Sequence, residues 1–191
     1  MTLVACGGGS GTTATNPTPN GAAEKLQAAA AAMQTVETFQ FSGEVVSASQ
    51  KTNISGEFAA PDALHESLKI GTATLEVIRI GGRTFRRDSP TAAWQLVPAS
   101  KATTPTDPRL AFTALAKATD VHLQGSTYVF TLNTSAATSL VNGSSAVTGS
   151  AVITGGRITD LAYKAATPVV SVHLTYAGFN ATPRVTAPPG M

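Results

Sequence analysis

The feature that most limits what this chain can fold into is a change of hydrophobic period near Thr38. Before it, residues 22–37 (AAEKLQAAAAAMQTVE) are rich in alanine, the strongest helix former, and place Leu26, Met33 and Val36 on one apolar stripe. This predicts a helix entered through Asn20-Gly21. After it the period falls to two: residues 39–49, 52–60, 63–70, 74–80, 83–87 and 93–97 are strand-like runs, divided by Gln50-Lys51, Pro61-Asp62, Gly71-Thr72, Gly81-Gly82 and Ser89-Pro90. Strands at this spacing joined by tight turns make an antiparallel meander. Ile54, Gly56 and Phe58, and then Leu64, Leu68 and Ile70, recur in alternation, so one face of the sheet is expected to be buried and the other wet.

The pattern resumes after the turn-rich segment KATTPTDP. Thr106 or Asp107 is placed to cap a helix over 108–118 with Pro108 in its first turn and Leu110, Phe112 and Leu115 as anchors. Strands over 120–123 and 127–132, a short helix over 135–140, and strands over 146–154, 157–164 and 169–178 complete an α+β order with about 11 strands. In the last strand Val170, Val172, Leu174 and Tyr176 share one face, and Ser171, His173 and Thr175 the other.

Composition narrows the function classes. Hydrophobic residues make up 42% and charged ones 13% of 191 residues, which suits one folded domain with a substantial core. A formal charge of +2 is too small to argue for nucleic acid, and no apolar run approaches the ~18 to 20 residues that span a bilayer. Cys6 is the only cysteine, so no disulfide can form within the chain.

Leu3-Val4-Ala5-Cys6 resembles the lipobox of bacterial lipoproteins. That resemblance implies cleavage before Cys6 and a diacylglyceryl group on its sulfur, which would tether the protein to a membrane outside the cytoplasm, in the periplasm or cell wall space. Residues 1–5 are then expected to be the remnant of a longer signal peptide, since they lack the basic and apolar regions that such a signal needs. Residues 7–21 (GGGSGTTATNPTPNG) have neither charge nor apolar periodicity. They form, with Cys6, a flexible spacer over 6–21 ahead of a domain over 22–191.

The element order, the run Ile80-Gly81-Gly82-Arg83-Thr84-Phe85 leading to Trp94, and the closing Tyr176-Ala177-Gly178-Phe179 before a Pro-rich tail together resemble the LolA-like fold, and within it the LppX/LprG type of lipid-binding bacterial lipoprotein. The resemblance covers residues 22–188. It implies a curved, incomplete antiparallel β-barrel with helices packed into its open side, an apolar cavity between them, and a lipid or lipidated ligand carried or presented in the cell envelope. An envelope transporter or acceptor protein would be a partner. It implies no catalytic motif, cofactor or metal.

An amphipathic sheet too large for two helical stripes to cover leaves apolar surface for acyl chains. Phe41, Val45, Phe58, Leu68, Leu75, Val77, Phe130, Leu161 and Val172 are the candidate lining; the alternative for each is plain core packing. Arg79, Arg83, Arg86 and Arg87 surround one hairpin, either as edge charges that discourage aggregation or as contacts for anionic headgroups of the ligand or membrane. Alternation sends Arg86 and Arg87 to opposite faces. His65, His122 and His173 lie in separate strands and read as solvent-facing. No GxSxG, HExxH or paired His/Cys spacing occurs, and Gly81-Gly82 and Gly155-Gly156 join strands rather than opening helices, so they serve hairpins and not phosphates. A lipid carrier is the leading expectation. The other is a structural or sensor lipoprotein that acts by protein contacts, and it would differ in having a filled core and an exposed apolar patch.

Overall fold

In the computed structural model, which describes residues 19–48, 50–98, 108–138, 140–141, 146–181 and 185–190, the chain enters through helix α1 (Pro19–Gln34). Leu26, Ala29, Ala30 and Met33 recur on one side of it at three- and four-residue steps, and all are buried. The helix takes in Asn20 and Gly21, which were expected ahead of it. It ends at Gln34, where the Thr35 amide and hydroxyl both donate to the Ala32 carbonyl and turn the chain outward.

The strands are β1 (Thr38–Ser47), β2 (Gln50–Ala59), β3 (Ala63–Ile70), β4 (Ala73–Ile80), β5 (Arg83–Arg87) and β6 (Gln95–Val97). Helix α2 (Leu110–Leu115), β7 (Thr119–Gln124), β8 (Thr127–Leu132), α3 (Thr134–Ala137), β9 (Val147–Thr154), β10 (Arg157–Ala166) and β11 (Val169–Ala177) follow. All 11 strands lie in one antiparallel sheet of order β6-β5-β4-β3-β2-β1-β11-β10-β9-β8-β7. Two meanders thus join where β1 pairs with β11, and β6 and β7 remain separate edges, so the barrel is incomplete. Gln50 and Lys51, expected as a turn, belong to β2, because Ser47 pairs with Gln50.

Glycine lets the sheet coil. A Cβ on Gly43 would run into the backbone of His173 and Leu174, and one on Gly149 would stand 2.7 Å from the Ala162 carbonyl oxygen. Irregularities of register between Ile158 and Asp160 and between Thr119 and His122 add local bends. The helices pack into one part of the concave side: α1 lies on β7, β9, β10 and α2. Phe112 of α2 meets the rings of Phe39 and Tyr176 at 6.4 and 5.2 Å between centroids. Helix α2 is shorter than the expected 108–118 and starts at Arg109 without a side-chain cap; Thr106 and Asp107 fall outside the described residues. Asn133 caps α3 by accepting the Ala136 amide hydrogen, which starts that helix one residue early.

The expectation of a single buried face fails over β3–β5. There the outer face carries a second cluster of Ala59, Ala63, Ile78 and Phe85, closed by Val185, with Ile80 and Trp94 packed against it. The cause is the composition of β4, which is apolar on both faces: Leu75 and Val77 point into the concave side, Ile78 and Ile80 outward.

Candidate functional site

Cross-strand register sets the concave face of β1–β4 in rows. Gly43, Ile54, Leu68 and Leu75 form one, and Val45, Thr52, Ile70 and Ala73 the next. Val45, Ile54, Leu68, Leu75 and Val77 are only half-buried, whereas Phe41, Phe58, Phe130, Leu161 and Val172 are buried in the main core. The nine candidate lining residues therefore share the concave side but divide in two. Five sit where rings and helices pack over them, and Val45, Leu68, Leu75 and Val77 form with Ile54 an aliphatic strip that is half open. The main helix α1 lies over β7, β9 and β10 instead.

One ion pair stands in this strip. Register places Glu66 beside Val77 and Arg79 beside Leu64; Arg79 Nη2 donates to Glu66 Oε2 at 2.6 Å, and the two side chains are 15% and 18% exposed. Arg79 Nε is buried with no hydrogen-bond partner. An incompletely satisfied guanidinium in apolar surroundings is costly unless a further acceptor reaches it.

The four arginines do not form one patch. Arg86 lies on the concave side, exposed, and donates to Asp88 at 2.7 Å. Arg83 and Arg87 lie on the outer face, Arg83 over the Phe85 ring at 4.8 Å and Arg87 over Trp94 at 4.7 Å. Arg87 also donates twice to Glu76 Oε2, at 2.7 and 3.1 Å, and once to the Pro90 carbonyl. Glu76, a buried carboxylate on the outer face, was missed by sequence reasoning. Its signal was an acid inside an apolar strand, opposite Arg87 in the hairpin register.

His122 and His173 are exposed, as expected; His173 Nε2 lies 2.7 Å from Asp160 Oδ2. His65 is half-buried, with Nε2 at 3.5 Å from Glu76 and its ring edge-on to Trp94. Among the described residues, none of these rings is hydrogen-bonded to a serine hydroxyl, and no three His, Cys, Asp or Glu side chains gather as metal ligands. Burial pushes the Tyr163 phenol up to about 12. It raises that of Tyr176 as well, helped by neighbouring Tyr163 and Asp160. Both stay protonated near neutral pH and are poor bases.

A groove of about 360 Å³ crosses the outer face of β11, β1, β2 and β3, lined by Gln40, Ser42, Ser55, Glu57, His65 and Thr175. Its side chains are engaged with each other: Gln40 donates to Glu57, and the Ser42 and Thr175 hydroxyls are 3.0 Å apart. Among the described residues no helix is long and apolar enough to cross a membrane. Cys6 and residues 7–18 lie outside them, while Pro19, Asn20 and Gly21, expected as the end of the spacer, belong to α1.

No protein-family model matches the chain, and no curated protein matches it. Among solved structures, LprF from Mycobacterium bovis matches with a TM-score of 0.65 at 12% identity, over 91% of this chain and 99% of LprF. The Mycobacterium tuberculosis lipoprotein LppX matches with a TM-score of 0.60 at 13% identity, over 88% of this chain and 100% of LppX. This chain has the LolA-like fold. At such identities the likeness is one of architecture, and it extends over nearly the whole of both relatives. Within this LolA-like fold the Glu66–Arg79 pair in the concave strip is formed by this chain's own residues.

Proposed function

We propose that the protein is a lipoprotein of the bacterial cell envelope that binds a lipid or other amphiphile on its concave face and carries or presents it. The observation that carries this reading is the half-open aliphatic strip of Val45, Ile54, Leu68, Leu75 and Val77, of which Val45 and Ile54 pack against the main core and Leu68, Leu75 and Val77 extend beyond it. Such a strip takes acyl chains by shape and apolar contact. Phe41, Phe58, Phe130, Leu161 and Val172 belong to the buried core on the same concave side. Arg79, with one guanidinium nitrogen unpartnered, is the contact for an anionic or strongly accepting headgroup, and exposed Arg86 stands beside it on the same face. Arg83 and Arg87 face the other way and brace the outer cluster instead.

The fold likeness to LprF and to the lipoprotein LppX supports this reading, as does the lipobox-like Leu3-Val4-Ala5-Cys6. Lipidation of Cys6, with residues 7–18 as tether, would hold the domain at a membrane outside the cytoplasm and let it hand its ligand to a transporter or acceptor. No step of this work needs a cofactor or catalysis. The test is native mass spectrometry with lipid extraction on protein purified from its host without detergent. A stoichiometric bound lipid is the expected result, and a bare protein that also refuses fluorescent acyl probes would overturn the proposal.

A second reading has one observation in its favour. Beneath the helices the core is filled, with Phe39, Phe112, Phe130, Leu132 and Leu161 at most 1% exposed, as in a structural or sensor lipoprotein that works through protein contacts. The same two measurements separate the readings, since such a module would emerge bare and take up no probe.

A further inference from the structure

The concave strip runs out at one end of the sheet, and the surface at that end has a distinct character. Register brings together the ends of β1, β3 and β10 and the starts of β2, β4 and β11: Ser47 faces both Gln50 and Val170, and Ile70 faces both Thr52 and Ala73. Two large apolar side chains stand out there, Ile70 at 38% and Val169 at 69% exposure. Ile70 belongs to the last concave row, beside Thr52 and Val45, so the strip leads directly to it.

Charge at this rim is mainly positive among the described residues. Lys51 and Lys164 lie in one cross-strand row and Lys69 in the next, all three exposed on the outer face. Lys51 pairs with Glu44, which is the only acidic residue in these two rows among the described residues. Lys69 and Lys164 make no ion pair with a described residue. Asp120, at the start of β7, stands at this same end, since Thr119 pairs with Thr131 and Leu132 with Val147; at the opposite end Glu37 and Asp62 balance Arg83 and Arg157 at the strand starts and turns.

We propose that this rim is a docking surface for an anionic lipid bilayer. Lysines above apolar side chains match the layering of such a surface, headgroup charge outside and hydrocarbon beneath. With Ile70 and Val169 entering the acyl boundary, the concave strip opens onto the hydrocarbon, and an amphiphile's chains pass between membrane and protein without crossing water. This purpose rests on the amphiphile-binding reading, whereas the docking itself rests on charge and exposure alone.

The experiment is vesicle co-sedimentation of the full chain carrying Cys6→Ser, which removes any lipid anchor. Binding is expected to vesicles of phosphatidylcholine mixed with phosphatidylglycerol, to weaken as salt is raised, and to be far weaker to phosphatidylcholine alone. Lys51→Gln, Lys69→Gln and Lys164→Gln should each weaken it roughly fivefold, and Val169→Asp should weaken it further, with melting temperature and acyl-probe uptake unchanged. Equal binding to both vesicles, full binding by the triple lysine variant, or loss of binding on Arg157→Gln at the far rim would overturn the proposal. Probe uptake measured alongside separates the two ideas. Anionic-vesicle binding by a protein that takes up no probe upholds the docking surface and sinks the carrier reading, and probe uptake without vesicle binding does the reverse.

Discussion

Gly56 and Gly149 each lie under a phenylalanine of the neighbouring strand, with the rings of Phe41 and Phe130 closing over the bare Cα where a side chain would stand. The arrangement lets adjacent strands approach while the ring restores the buried area that glycine lacks. A Cβ on Gly149 would meet Phe130 Cζ at 2.5 Å and the Ala162 carbonyl at 2.7 Å, and the carbonyl cannot yield without bending the ladder. Gly149→Ala should therefore cost about 2 kcal/mol, in the range of overpacked cores, read as a lower urea midpoint at constant slope. The buried tyrosines give a second consequence. Because the Tyr163 phenol is held up at about 12 from an ordinary 10.0, the unfolded chain loses that proton first as pH rises. Stability from this group is intact below pH 10, declines between about 10 and 12, and amounts to about 2 to 3 kcal/mol. Denaturation midpoints measured across that window should fall for the parent protein and fall less steeply for Tyr163→Phe.

The elements show what alternation can and cannot foretell. The strand runs, their glycine turns and the face shared by Val170, Val172, Leu174 and Tyr176 were legible, because period two and turn chemistry are local properties of the sequence. The outer cluster was only half legible: β4 is apolar on both faces within its own sequence, but Val185, which closes the cluster, comes from the far end of the chain and nothing near it announces this. Glu76 lies on the same outer face: it draws in Arg87, which sits over the Trp94 ring and so pins the segment after β5. Glu76→Gln keeps the volume and removes the charge, and should cost about 1 to 3 kcal/mol. Trp94 is the only tryptophan, so its fluorescence reports the event directly: emission should shift to the red and quenching by acrylamide should increase. Helix α1 offers the matching test on the concave side. Met33 is fully buried, and Met33→Ala should cost between about 2 and 5 kcal/mol in chemical denaturation, the spread reflecting how far the Ala-rich helix can settle onto β10 and β7.

At the scale of the whole molecule, the two meanders meet at β1–β11, but the principal helix covers only one of them. That asymmetry made the candidate site hard to read in advance. Alternation assigns Leu75 and Phe130 alike to the concave face; only the docking of α1 over β7, β9 and β10 decides that Phe130 becomes core while Leu75 stays half open. The same asymmetry separates function from stability in a way substitutions can expose. In a ligand-binding sheet the strip and the core answer to different measurements. Leu68→Asn and Leu75→Asn remove apolar surface that water already partly reaches, so the melting temperature should move little. A bound acyl chain would lose contact of the kind worth about 1.5 to 3 kcal/mol per fully buried side chain, and acyl-probe affinity should fall about tenfold. Phe130→Ala should act the other way, costing about 3 to 5 kcal/mol of stability with probe affinity preserved in the molecules that remain folded. If both kinds of substitution changed stability and neither changed probe uptake, the strip would be part of the packing. The unsatisfied Arg79 beside Glu66 would then be a structural ion pair, and the envelope role would rest on contacts made elsewhere on the surface.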